Sequence, residues 1–294
     1  MPEIFAQPRR IRFADCDPAG IVYFPRFLEM ANDLVEEWFE ARLAVPFKEF
    51  HFGRGLGVPL VNTRVDFLKA CRLGETLLMG LGVEALGRSS AVLAIRGRTK
   101  GEDRLRVRHK VAIVSLESRR AIAIPHELRA RMERFLTPGA APSPEPATHD
   151  GRIPPNAFRS QYLVRFSHCD PAGIVFYPRF FDLFSNALED WFQRGIESPF
   201  GSDFMRKRNL RIPGLSIRAE FVRPCKMGEF LDLDLWVTRM GRSSLDLALA
   251  GSVAGELRLR VAWDVCLIDF ATFKSTPIPD DLRERMREFM PPSR

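Results

Sequence analysis

The chain has 294 residues, 46% hydrophobic and 28% charged, the balance of a soluble globular protein long enough for two cores rather than one. A formal charge of +7 suits a ligand that carries phosphates, although surfaces that meet no anion hold similar surpluses of arginine. The five cysteines form no CxxC pair, and no stretch reaches a signal-peptide run or the roughly 20 apolar residues of a membrane span, so a cytoplasmic protein with reduced thiols and no membrane partner is expected.

In chain order, residues 10–16 nearly alternate apolar and polar, which predicts a strand, and 162–168 repeat the pattern. Each strand is expected to end at an aspartate. Cys16-Asp17-Pro18-Ala19-Gly20-Ile21 recurs unchanged from Cys169 to Ile174, and Asp followed by Pro and Gly predicts a carboxylate on a sharp turn. Beyond the turn, Phe27, Met30, Ala31, Leu34, Val35, Trp38 and Phe39 fall at helical spacing, as do Phe180, Leu183, Phe184, Ala187, Leu188, Trp191 and Phe192. The pattern predicts one long amphipathic helix per half, starting near Pro25 and Pro178, where proline is tolerated. Loop-rich segments follow at 46–59 and 199–213. Strand-like runs at 61–70, 75–86, 89–99 and 105–116 are broken only by short glycine turns, as in an antiparallel meander, and a helix over 126–136 closes the half. Residues 137–160 have the Pro/Ala-rich composition of a linker. The predicted domains are therefore 1–136 and 161–294, two copies of one α+β unit.

The runs RIRFADCDPAGIVYFPRF and LVRFSHCDPAGIVFYPRF, with GRSS later in each half, resemble the 4-hydroxybenzoyl-CoA thioesterase family of the hot-dog fold. That resemblance implies two tandem hot-dog domains, each an antiparallel five-stranded sheet wrapped around a long central helix. It further implies that the two pair as an internal pseudo-dimer, with each aspartate near elements of the other half. The implied substrate is a coenzyme A thioester, with no cofactor.

Thioester hydrolysis needs a nucleophile or a base, and a carboxylate in water is ionised at neutral pH. Asp17 and Asp170 could attack the thioester to form an anhydride or take a proton from an attacking water, and the residues alone do not choose between these routes. The same tetrapeptide also forms a plain turn. Helix N-termini offer N–H groups and partial positive charge, so the backbone N–H groups of Phe24 and Tyr177 are the candidate donors to the thioester oxygen, as the resemblance also implies; an ordinary helix start offers the same. Relatives acting on short aliphatic acyl groups tend to carry histidine at that position. Phe24 and Tyr177 make the chain look like the aromatic acyl-CoA branch.

Arg88, Ser89 and Ser90, with Arg242, Ser243 and Ser244, are candidates to grip coenzyme A phosphates, and they equally suit a polar hairpin turn. Asp66 and Glu220 read as the exposed side of a strand. Asp15 and His168 occupy equivalent positions two residues before the aspartates, and their difference argues against a shared essential role and for a different tuning of the two sites. Cys16 and Cys169 read as buried small thiols. The five histidines share no aligned position and no ligand spacing, so no metal is expected. A non-catalytic acyl-CoA-binding module is the alternative, in which the aspartates only form turns. The basic run 96–110 raises a nucleic-acid reading, but acidic residues interrupt it and aromatics are missing, which favours a solvated hairpin and no nucleic-acid partner. An antiparallel sheet can also leave an outer face for homo-oligomerisation of the double unit.

Overall fold

A computed structural model describes residues 2–137 and 149–292; the part of the expected linker at 138–148 lies outside the described residues. The chain divides into two compact units, Met1–Pro146 and Ala147–Arg294. In the first, β1 (Phe5–Arg10) precedes α1 (Phe24–Ala41), and β2 (Leu60–Phe67), β3 (Thr76–Leu86), β4 (Ser90–Thr99) and β5 (Glu102–Ala112) lead to α2 (His126–Glu133). The strands are antiparallel in the order β1-β3-β4-β5-β2. The second unit repeats the plan with β6 (Phe158–Leu163), α3 (Tyr177–Asp190), β7 (Gly214–Phe221), β8 (Phe230–Met240), β9 (Ser244–Val253), β10 (Glu256–Cys266) and α4 (Asp280–Arg287). Its order is β6-β8-β9-β10-β7. Even the irregularities recur: register shifts at Val83/Ala85, Leu60/Asn62 and Gly97/Arg98 have counterparts at Val237/Arg239, Gly214/Ser216 and Gly251/Ser252.

The helical spacing translates directly into burial. All seven apolar positions listed above for each half are buried, with Trp38, Phe39, Phe184, Trp191 and Phe192 at 0% exposure. Pro25 and Pro178 sit in the first turn, where a missing N–H breaks no helical bond. Rings fix the helix against its surroundings: Trp38 meets Phe135 edge-on at 5.4 Å, and Trp191 meets Phe289 at 5.7 Å.

Three expectations are corrected. The first strand of each half does not run to the aspartate: β1 ends at Arg10 and β6 at Leu163, and short 3-10 turns follow at Phe13–Asp15 and Phe166–His168. The alternation misled because Phe13 and Phe166 are exposed, at 85% and 84%, and so mark no core face. The loop-rich segments contain short π-helical turns, Glu49–Gly53 and Phe200–Lys207, which seat Phe50 and Phe204 against Phe39 and Phe192. The second unit also begins earlier than expected. Phe158–Ser160 belong to β6, and His149 is docked ahead of them, its ring 4.9 Å from Trp236 and its Nε2 3.0 Å from the Val261 carbonyl. Trp236, Ala248 and Ala250 form an apolar patch that Ala157 and Leu257 help to cover.

Candidate active site

Each aspartate sits on a closed turn. The Asp17 carbonyl accepts the Gly20 N–H at 2.9 Å, the Asp17 N–H donates to the Ile21 carbonyl at 2.9 Å, and Cys16 bridges to Val22. Asp17 Oδ1 accepts the Ala19 N–H at 2.8 Å and the Ile21 N–H at 3.4 Å, so the half-buried carboxylate is held from within its own loop. Asp170 repeats this with Gly173, Ile174 and Ala172, the last donating to Oδ1 at 2.9 Å. Gly20 and Gly173 have φ of 74° and 78°, a conformation that other residues adopt only at a cost.

The turn is fastened to its surroundings on two sides. Val22 and Val175 donate to the carbonyls of Cys71 and Cys225 at 2.9 Å, and Ile21 and Ile174 bridge to Arg72 and Lys226, so the loop leading into β3 or β8 backs each motif. On the other side, the Tyr23 N–H donates to the Asp15 carbonyl and the Phe176 N–H to the His168 carbonyl, both at 2.9 Å. Tyr23 and Phe176 are the N-cap residues, so Phe24 and Tyr177 are the first residues of α1 and α3. The structure thus brings Asp17 together with the start of α1, and Asp170 with the start of α3.

Half-buried rings stand at both helix starts. Phe24 meets Tyr23 and Phe67 edge-on, each at 5.8 Å, and Phe27 lies 6.1 Å from Phe67. In the second unit Tyr177 meets Phe176 at 5.8 Å and Phe180 meets Phe221 at 5.3 Å. Phe67 and Phe221 escaped the sequence reading, although both end a strand at aligned positions. Asp66 and Glu220, one residue earlier, pair with Arg64 and Arg260, as expected of a strand's polar side.

The GRSS elements occupy β-turns at the other end of the sheet. Asp17 lies beside the loop that enters β3, whereas Arg88 follows the far end of that 11-residue strand, about 36 Å of extended chain away. The turn is tightly closed: Gly87 donates to the Ser90 carbonyl at 2.8 Å, Ile113 to that of Ser89 and Ile124 to that of Arg88. Gly241, Leu267 and Ile278 bond in the same way to Ser244, Ser243 and Arg242. Arg88 and Arg242 are exposed and the four serines half-buried. Arg88 and Ser89 line an open depression of about 450 Å³ with Ala121, Ile122 and Ala123.

The cysteines are corrected in part. Cys16 and Cys169 are half-buried, and their thiols donate to the carbonyls of Arg12 and Arg165 at 3.5 and 3.6 Å. Burial, then the neighbouring Asp15 and Asp17, pushes the Cys16 thiol above its ordinary value; burial and Asp170 do the same to Cys169, which disfavours the thiolate a nucleophile needs. Cys71 and Cys225 are buried, pushed up to about 11 and about 12. Among the described residues no group of three or more His, Cys, Asp or Glu could hold a metal ion, and no helix is long and apolar enough to cross a membrane. The basic run is a β4–β5 hairpin whose cations meet acids in place: Arg98 and Arg106 on Asp103, Arg108 on Glu84.

Two units, each a five-stranded antiparallel sheet with one long buried helix, define the hot-dog thioesterase fold in tandem. Residues 11–132 and 164–286 match the model of the thioesterase-like superfamily, and the chain belongs to that superfamily. The chain is 35% identical over 83 residues to a 1,4-dihydroxy-2-naphthoyl-CoA hydrolase of Nostoc punctiforme, covering 28% of this chain and 55% of that one. It is 30% identical over 123 residues to the hydrolase of the same name from Thermosynechococcus vestitus, covering 42% of this chain and 84% of that one. Thus the chain spans only about half the length of the first relative and most of the second. A 12:0-ACP thioesterase from Umbellularia californica superposes over 90% of this chain and 94% of its own, with a TM-score of 0.72 at 14% identity, a likeness of fold.

Proposed function

We propose that the chain hydrolyses coenzyme A thioesters of aromatic acids, with the 4-hydroxybenzoyl group as the model acyl group. The observation that carries this reading is the duplicated seat of an aspartate turn hydrogen-bonded to the residue before a helix start, with half-buried rings beside it. In the proposed reaction the N–H groups of Phe24 and Tyr177 receive the thioester oxygen, where charge grows as the carbonyl becomes tetrahedral. Donors fixed in advance favour that state over the ground state. Asp17 and Asp170 either take a proton from water as it attacks or attack the carbonyl themselves, an anhydride then being opened by water. Both routes break the carbon–sulfur bond and release coenzyme A thiol and the free acid. The relatives' names support an aromatic acyl group, and Tyr23, Phe24 and Phe67, with Phe176, Tyr177 and Phe221, suit a flat ring. Arg88 and Arg242 are the proposed grip on coenzyme A phosphates.

Thiol release from benzoyl-, 4-hydroxybenzoyl-, phenylacetyl- and straight-chain acyl-CoA tests this reading. The expected result is turnover with the highest kcat/KM on the benzoyl esters. Binding without turnover of any ester contradicts hydrolysis, and a preference for straight chains contradicts the aromatic pocket.

A further inference from the structure

Asp15 and His168 perform one task with different chemistry. The Arg12 N–H donates to Asp15 Oδ2 at 2.7 Å, and the Arg165 N–H donates to His168 Nδ1 at 3.2 Å. In return Asp15 and His168 donate their own N–H to the carbonyls of Arg12 and Arg165, at 3.1 and 3.0 Å, which closes each 3-10 turn. The same two residues accept, through their carbonyls, the N–H of the helix N-caps Tyr23 and Phe176. Each therefore joins the strand end to the helix start, two residues ahead of Asp17 or Asp170. The two positions thus share a structural contact while differing in chemistry, which leaves room for them to tune the two sites differently.

The two acceptors differ on protonation. A carboxyl group that gains a proton still has an oxygen that accepts, whereas an imidazole Nδ1 that gains one can only donate. A protonated His168 would face the Arg165 N–H donor to donor. We propose that His168 is a positioning residue of the second site, which holds the Asp170 turn against α3 only while its imidazole is neutral, so that the two sites of one chain differ in their response to acid. The proposal rests on the hydrolytic reading of Asp170.

The groups facing His168 set where this happens. Burial acts first, then Arg165 on the turn and Arg179 on α3; all three hold the imidazole below its ordinary value, against the opposing pull of Asp182 on α3. The second site should therefore keep its geometry at neutral pH and lose it as the solution is acidified below the ordinary imidazole range.

The test uses the full chain and 4-hydroxybenzoyl-CoA. Asp17→Asn isolates the second site and Asp170→Asn the first, and kcat is followed from about pH 8 to about pH 5. The predicted result is that the second site loses about tenfold more kcat than the first over that span. His168→Asp in the Asp17→Asn chain should cancel the difference, and Asp15→His in the Asp170→Asn chain should create it. An acid limb unchanged by His168→Asp overturns the proposal. A readout independent of turnover separates this from failure of the aspartate reading: the Arg165 amide resonance of the wild-type chain should follow the His168 titration. An Arg165 amide that ignores that titration overturns the proposal whatever the kinetics.

Discussion

The N–H of Tyr23 donates to the carbonyl of Asp15 at 2.9 Å, and this bond joins the aspartate turn to the helix whose first residue is Phe24. The turn and the helix start are thus one assembly rather than neighbours in sequence. Its second copy, Phe176 on His168, has the same length.

If that assembly governs activity, backbone strain within it should cost turnover beyond its cost in stability. An added Cβ at Gly20 or Gly173 would meet nothing within 4 Å, so Gly20→Ala and Gly173→Ala act only through φ. Each should destabilise its unit by about 1 kcal/mol, read from urea unfolding, and lower kcat of its own site severalfold. A loss of stability with kcat intact would separate the turn from the chemistry.

Arg88 and Arg242 should behave differently from the aspartates. Losing a charge-assisted phosphate contact is worth about 1.5 kcal/mol, so Arg88→Ala and Arg242→Ala should each raise KM for acyl-CoA about tenfold with kcat nearly unchanged. Steady-state kinetics in the Asp17→Asn and Asp170→Asn backgrounds then show which aspartate each arginine serves. A fall in kcat at constant KM would remove both arginines from coenzyme A binding.

Much of this was legible in the residues. The long helices carried the strongest signal, since seven apolar positions at 3.6-residue spacing survive in both copies and all are buried. The four later strands were bounded to within a few residues because glycine turns separate them. The first strand was misplaced, because exposed Phe13 and Phe166 imitate an inward-facing residue, while β1 itself contains Pro8 and is polar. The equivalence of Asp15 and His168 was legible from the repeat, but the bonds they make were hidden because the two side chains share an acceptor geometry and no chemical resemblance. Their spacing of three from Arg12 and Arg165 was the one available signal, that of a side chain reaching back to close a turn.

His109 gives the first unit a pH dependence at a position where the second unit holds no titratable group. It is 2% exposed, with Nδ1 2.8 Å from Thr63 Oγ1, and the aligned position holds Trp263. Burial pushes its imidazole down to about 3 from an ordinary 6.5. The unfolded chain therefore takes up a proton below 6.5 that the folded chain refuses. This contribution is whole above 6.5 and drains as pH falls towards 3. Between about pH 7.5 and about pH 5 it amounts to about 2 kcal/mol of lost stability. Urea unfolding of the wild type and of His109→Phe checks this, and the variant should show a smaller loss by that amount. Equal losses in the two would mean that His109 is not neutral in the fold.

The central claim is that Asp17 and Asp170 perform the hydrolysis, and thiol release by Asp17→Asn, Asp170→Asn and the doubly substituted chain tests it most directly. Asparagine keeps the Oδ1 acceptor that closes each turn and removes the charge. Each single variant should retain part of the wild-type kcat on 4-hydroxybenzoyl-CoA, and the double variant, folded by its unfolding curve, should fall by about 1,000-fold or more. Wild-type turnover in the folded double variant would contradict the account.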